Sequence, residues 1–308
     1  MRVDDAVVAR AVEALRAGGV VAIPTETVYG LAADVTNPSA IARVYAIKGR
    51  PADHPLIVHA HDLSMLEGYV AAITPRLQVL AQRFWPGPLT AILERGPRTP
   101  LAVTGGQETV AVRVPDHPLT RAIMSALGRP LVAPSANRFG HVSPTSAEHV
   151  RADLGDDVDL IVDGGPADVG VESTIVDSTS AVPAILRAGA ITASQLGDAL
   201  GVPVVTRVGG SVRAPGTLAS HYAPRARVIL VEAGSREAEA RRRAQRGERV
   251  AVLTLPDDPA AAARNLYAAL RALDADGYQT IVATLPADTE ANAAVRDRLT
   301  RAAAPRST

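Results

Sequence analysis

Short apolar runs, each stopped by a proline, a glycine or a knot of polar residues, alternate along this chain with segments of helical period. That alternation restricts the fold to the α/β class. Asp4 is placed to cap a first helix whose apolar positions Val7, Val8, Ala11, Val12 and Leu15 repeat with the helical period, and Gly18-Gly19 ends it. Residues 20–23 then read as a buried strand stopped by Pro24. Asn37-Pro38 opens a helix that runs towards Lys48, with proline at its favoured first position. Further strands are expected at 56–58, 89–93, 110–114, 131–133, 160–162 and 173–176, and helices at 75–84, 117–127, 146–154 and 192–200. These elements predict one domain over residues 1–205 with a single mixed sheet. Residues 206–225, with Gly209-Gly210, Pro215-Gly216 and Pro224, lack apolar periodicity and read as a linker. Residues 226–308 repeat strand and helix three times, at 227–231, 235–246, 249–254, 258–274, 279–284 and 288–303. That is the pattern of a small, Rossmann-like parallel sheet with helices on its faces.

Only 3% of residues are aromatic, so the cores must be built from Ala, Val, Leu and Ile. The absence of cysteine excludes disulfides, thiolate nucleophiles and Cys-ligated zinc. No apolar run reaches membrane-spanning length and the first residues lack the layout of a signal peptide, so the chain is expected in the cytoplasm, away from membranes. Net charge is zero, but residues 1–205 carry a balance of −5 and residues 206–308 one of +5. Neither half is basic enough for a bulk nucleic-acid binder, and the opposite signs would help the two parts dock. The Arg241-Arg242-Arg243 run lies among glutamates and reads as a solvated helix face.

Familiar catalytic signatures are missing: no G-x-x-x-x-G-K-[ST], no G-x-G-x-x-G after a strand, no H-E-x-x-H and no G-x-S-x-G. His59 and His61 fall on one face of a strand, but no third ligand is spaced to complete a metal site, and hydrogen-bonding roles fit them better.

Six polar clusters remain. Pro24-Thr25-Glu26-Thr27-Val28-Tyr29-Gly30 follows a buried strand, where ligand sites of α/β sheets gather. The second cluster contains Lys48, the only lysine among 32 basic residues, with Gly49, Arg50 and His54 to His59. A compact ammonium kept where arginine is used everywhere else suits a phosphate clamp with Arg50; a solvated lysine at a helix C-terminus is the alternative. Third, Arg113 interrupts the apolar strand after Thr109. It would pair with a substrate carboxylate or with a protein carboxylate. Then come Ala133-Pro134-Ser135-Ala136-Asn137 with Ser143, the glycine-rich stretch that leads to Glu172-Ser173-Thr174, and Ile185-Leu186-Arg187-Ala188-Gly189. Hydroxyls, glycine backbone and isolated arginines suit a nucleotide and a small zwitterion. No residue looks like an activated nucleophile, which points to catalysis by positioning and charge neutralisation.

Taken in order, the clusters resemble the YrdC-like family of threonylcarbamoyl-AMP synthases over about residues 5–200. The linker and α/β tail resemble that family's longer, two-domain branch. The resemblance implies a YrdC-like twisted mixed sheet with flanking helices. It also implies a nucleotidyltransferase that makes threonylcarbamoyl adenylate and pyrophosphate from L-threonine, bicarbonate and ATP with Mg2+. The product would feed threonylcarbamoyladenosine modification of tRNA through a partner transferase complex; weak RNA binding is a further expectation. Lys48, Arg50, Ser135 and Asn137 match the catalytic K-x-R and S-x-N signature. Thr27, His59, Arg113, Ala133 and Ser173 fall on the L-threonine positions. Arg50, His54, Thr109, Ser135, Ser143, Arg187 and Tyr222 fall on those for ATP, Tyr222 lying in the segment Ser220-His221-Tyr222-Ala223-Pro224 that folds over the site as a lid. His54 stands where the family usually has Asn, and Ala188 where it has Pro. Two other readings are an RNA-binding module of the same fold and a carbamoyl transferase using carbamoyl phosphate, although the latter's usual zinc finger cannot be built without cysteine.

Overall fold

A computed structural model describes residues 3–207, 212–216 and 221–305. Among these residues thirteen strands form two sheets. In chain order they are β1 (Val21–Ile23), β2 (Gly30–Asp34), β3 (Ile57–His59), β4 (Leu89–Glu94), β5 (Thr109–Arg113), β6 (Leu131–Val132), β7 (Leu160–Ile161), β8 (Thr174–Asp177), β9 (Ala184–Arg187), β10 (Val205–Thr206), β11 (Arg227–Leu230), β12 (Val250–Val252) and β13 (Thr280–Ala283). The first ten make one mixed sheet in the order β10-β9-β8-β4-β5-β3-β6-β2-β1-β7; the last three make a parallel sheet in the order β11-β13-β12.

Local sequence explains the elements that bear on function. Asn37 caps the helix Pro38–Lys48 through a bond from the Ala40 amide, and Gly49 ends it in the left-handed conformation, at φ +61°. The reversal lets the Arg50 amide bond back to Tyr45 and sends Arg50 across the helix end. Strand β3 pairs in parallel with β5, register partners His59 and Arg113 standing side by side at their carboxyl ends. On its other side β3 pairs with β6, and the Ala133 amide just beyond β6 donates to Ile57.

Sequence patterning missed β2, β9 and β10. Residues 30–34 are buried on both faces, so no polar alternation marks them. Strands β9 and β10 are four and two residues long.

The small sheet has its own core, with Leu266, Leu270, Ile281, Val295 and Leu299, and this core reaches Val28, Val142 and Val171 of the larger domain. Across the boundary Arg271 pairs with Asp153 at 2.5 Å and Arg298 with Glu172 at 2.8 Å. In both pairs the cation belongs to the positively charged part of the chain. The 241–243 arginines sit on a helix with no buried residue; Arg242 and Arg243 pair with Glu239. No helix among the described residues is long and apolar enough to cross a membrane.

The described part of the linker lies on the large sheet. Ala214 packs with Ile57, Ile92, Ala111 and Ile175, Arg213 exchanges bonds with Gln107, and Ala223 bonds to Gly140. Gly209, Gly210 and Ser220 lie outside the described residues.

Candidate active site

Lys48 is 2% exposed, which rules out the solvated surface lysine. Its Nζ donates to the carbonyls of Ser135 at 2.6 Å and Asn137 at 2.7 Å, tying the helix end to the 133–137 loop. Arg50, also buried, donates to the carbonyls of His54 and Pro55 and lies over the Phe139 ring. Arg187, at the end of β9, donates to the Ser173 carbonyl and hydroxyl and to the Pro215 carbonyl of the linker. Among the described residues no carboxylate forms an ion pair with these three cations. Burial, and for Lys48 the neighbouring Arg50, lowers all three, Arg50 to about 10 and Lys48 well below its ordinary value.

Arg113 is held differently. Its Nη2 bonds to Glu26 Oε1 at 2.6 Å, Nη1 to Thr27 Oγ1 at 2.9 Å and Nε to the Gly87 carbonyl at 3.2 Å. The protein carboxylate expected as one alternative is therefore present. A guanidinium has five N–H donors, so two remain for a substrate.

Arg113 lines a small cavity of about 30 Å³ together with Thr27, His59, Ala133, Ser135 and Arg187. These six residues come from five separate stretches of chain, brought together by β2, β3, β5, β6 and β9. Thr25 and Glu172 complete the polar lining. The space holds about two water molecules. His59 is 2% exposed; burial and Arg113 hold its ring at about 3, so it is neutral. Its Nδ1–H is directed at the Ile57 carbonyl, which leaves Nε2 as an acceptor. Ser173 meets Thr90 at 2.7 Å beside the cavity.

The remaining expected residues spread outward. Asn137 donates to the Arg138 and His141 carbonyls, while its buried Oδ1 has no partner. Ser143 donates to Glu172 Oε1. His54 packs edge-on to Phe139, and burial with Arg50 nearby lowers its ring. Thr109 is not in the cavity: it begins β5, four residues and about 13 Å of strand from Arg113.

Tyr222 is buried at φ +62°, the only non-glycine residue with positive φ among those described, a conformation that costs about 1–3 kcal/mol. Its ring lies near Tyr267, and Arg298 sits 5.0 Å above it. The adjacent His221 ring packs between Tyr222 and Phe139 with both nitrogens unpartnered; burial holds it at about 3.

Sequence reasoning passed over Glu26, Phe139, Glu172, Tyr267 and Arg298. A signal existed for the last: Arg298 interrupts the buried stripe Ala294, Val295, Leu299 and Ala302, a helical position where an unpaired cation would not be tolerated.

Comparison with known proteins agrees with this geometry. A Sua5/YciO/YrdC family model, described as telomere recombination, matches residues 13–189, and a model described as threonylcarbamoyl-AMP synthase, C-terminal domain, matches residues 191–304. The threonylcarbamoyl-AMP synthase of Bacillus subtilis is 40% identical, covering 97% of this chain and 94% of its own length. That of Pyrococcus abyssi is 39% identical over 94% of this chain and 91% of its own. The crystal structure of Pyrococcus abyssi Sua5 complexed with L-threonine superposes with a TM-score of 0.94 at 36% identity, covering 98% of this chain and 96% of that one. Two family models that together span residues 13–304, relatives at about 40% identity over nearly the whole length and a solved structure of the same fold leave one conclusion: this chain belongs to the threonylcarbamoyl-AMP synthase family.

Proposed function

We propose that this chain is a nucleotidyltransferase that joins L-threonine, bicarbonate and ATP into threonylcarbamoyl-AMP, with release of pyrophosphate. The observation that carries the reading is the set of three buried cations, Lys48, Arg50 and Arg187, held only by neutral oxygens beside a cavity lined by Arg113. Buried charge of one sign with no counter-charge is unfavourable unless an anion completes it, and a polyphosphate does so.

Threonine would enter with its carboxylate on the two free N–H groups of Arg113. Neutral His59 offers Nε2 as an acceptor to the ammonium or the hydroxyl. The amine, once deprotonated, adds to CO2 derived from bicarbonate and gives a carbamate. A carbamate oxygen then attacks the α-phosphorus of ATP, the bond to the β-phosphate oxygen breaks and pyrophosphate leaves. Lys48 and Arg50 offset the charge that builds on the phosphates. No residue needs to act as a nucleophile, in keeping with the absence of an activated one.

Mg2+ would come with ATP. Among the described residues no three His, Asp or Glu side chains cluster to hold a metal, and substrate phosphates would supply most of the ion's ligands. The unpartnered Asn137 Oδ1 is a fitting hard-oxygen donor, and the ion would neutralise phosphate charge there. The linker, packed over Arg187 and carrying strained Tyr222, would close the site and keep water from the mixed anhydride. We place the reaction in the cytoplasm, with the product passing to a transferase that modifies tRNA.

The test is pyrophosphate release from ATP by the purified protein with bicarbonate, Mg2+ and each of several amino acids. Release that requires L-threonine is the expected result; release indifferent to the amino acid, or none, would overturn the assignment.

A further inference from the structure

We propose that Arg298 and Tyr267, both on the C-terminal domain, are positioning residues for the nucleotide end of the active site and act through Glu172. The inference rests on the synthase reading and adds a working part to a domain that carries none of the expected catalytic residues.

Glu172 stands just ahead of β8 and is 6% exposed. One carboxylate oxygen takes the Ser143 hydroxyl; the other takes Tyr267 Oη and Arg298 Nε, each at 2.8 Å. Arg298 is 1% exposed and reaches across the domain boundary. Its Nη1 pairs with Asp297, its Nη2 donates to the Ala188 carbonyl at 3.0 Å, and its guanidinium lies over the Tyr222 ring. Apart from the Asp297 pair, these contacts reach segments that the synthase reading places at the nucleotide. Ser143 is one such residue. Ala188 follows Arg187, and Ser173, which receives Arg187, follows Glu172. Tyr222 is the lid residue. One arginine from outside the catalytic domain thus fixes two loops, the end of β9 and the cover.

Electrostatics explains why the fixing group must be a cation. A buried carboxylate without a cationic partner takes up a proton, and a protonated Glu172 accepts more weakly from Ser143 and Tyr267, which loosens the segments that those bonds hold. Burial alone would raise the Glu172 carboxyl, but Arg298 and Arg187, with the bond from Ser143, outweigh burial and hold it at about 2. The charged and titratable groups facing it are Arg298, Tyr267 and Asp297 from the C-terminal domain, Tyr222 and His221 from the linker, Arg187 from β9 and Lys48 from the helix end. His221 is already neutral, so within this group Glu172 is the side chain whose charge depends most on Arg298.

The experiment is ATP-dependent pyrophosphate release at saturating L-threonine and bicarbonate, followed from about pH 5 to 8, for the full chain and the variants Arg298→Met, Arg298→Lys, Tyr267→Phe and Arg298→Met combined with Glu172→Gln. Arg298→Met should raise the KM for ATP about tenfold and add an acid limb, activity falling as the pH drops and Glu172 protonates. Arg298→Lys should restore much of the ATP affinity. The double variant should lose the acid limb, since Gln cannot titrate. Tyr267→Phe, which removes one bond and little else, should raise the KM for ATP about threefold with the fold intact. A purely structural bridge predicts otherwise: lowered melting temperatures, an unchanged pH profile in every variant and no loss of the limb on adding Glu172→Gln. That outcome, or an unchanged KM for ATP in a folded Tyr267→Phe, would overturn the proposal. Lack of threonine-dependent turnover in the unmodified protein would instead strike the synthase reading, so the two failures are separable.

Discussion

Two sets of buried cations differ in what holds them. Arg113 and Arg298 each pair with a protein carboxylate, Glu26 and Glu172. Lys48, Arg50 and Arg187 are held by carbonyl and hydroxyl oxygens. A paired cation is part of the scaffold even when it also receives substrate, because the carboxylate it leaves behind would be stranded. A cation held by carbonyls keeps nearly its full charge for a ligand. The protein therefore keeps its spare positive charge where a polyphosphate would lie, and balances Arg113 with Glu26 where an amino acid, itself a zwitterion, would lie.

Replacing Lys48 gives the sharpest way to break that contrast. Lys48→Met should cut kcat/KM for pyrophosphate release about 1000-fold, as expected for removal of a preorganised charge near the transferring phosphorus. Lys48→Arg should still lose about 100-fold, because a planar fork cannot occupy the ammonium's place between the Ser135 and Asn137 carbonyls. Thermal stability should fall by no more than about 2 kcal/mol in Lys48→Met, the lost bonds being offset by relief of a buried charge. Near-normal turnover in either variant would dissolve the distinction between the two sets.

Arg113→Met should behave in the reverse sense. It strands buried Glu26 and should destabilise the fold by about 3–5 kcal/mol, while the KM for L-threonine rises and that for ATP stays close to its original value. Denaturant unfolding and separate substrate titrations check both parts. If ATP affinity fell as far as threonine affinity, the two ends of the site would not be independent.

Much of this arrangement could be read from the chain. A lone lysine among arginines, a strand broken by Arg113 and hydroxyl clusters after apolar runs each mark a place where a local rule is broken, and five of the nine residues taken as catalytic or threonine-binding, namely Thr27, His59, Arg113, Ala133 and Ser135, do line one cavity. The helices were legible because caps and period agree, as at Asn37, Pro38 and Gly49. What escaped depends on three-dimensional neighbours. Gly30–Asp34 is buried on both faces and shows no alternation. Glu26 and Glu172 were visible as members of clusters, but their partners lie 87 and 126 residues away in sequence. Whether Arg113 meets a substrate or a protein carboxylate cannot be decided from one strand, and the structure shows the protein carboxylate already in place.

A subtler expectation concerns protons. Burial and the nearby Arg50 lower Lys48 in the free protein, and bound phosphate would raise it again. Between those two values ATP binding must take up a proton, so affinity should weaken as the pH rises through the window. Calorimetry of ATP binding in buffers of different ionisation heat, above the pH where the γ-phosphate itself titrates, reads the uptake. Lys48→Met should abolish it. Arg113→Met, which removes a cation already balanced by Glu26, should leave it in place.

The smallest effect belongs to the lid. His221 is held at about 3 when buried against Phe139 and Tyr222, mainly by desolvation, whereas an exposed imidazole titrates near 6.5. A depressed value means that the closed form binds fewer protons than the open one. Closure is therefore fully favoured above about pH 6.5 and weakens as the pH falls, by about 1.4 kcal/mol between pH 7.5 and 5.5 if opening exposes the ring. Hydrogen exchange at the Ala223 amide, which bonds to Gly140 in the closed form, reports the opening once intrinsic rates are divided out. His221→Leu should remove the dependence and keep the packing against Phe139. A lid that opened equally at both pH values would mean that His221 remains buried when the linker moves.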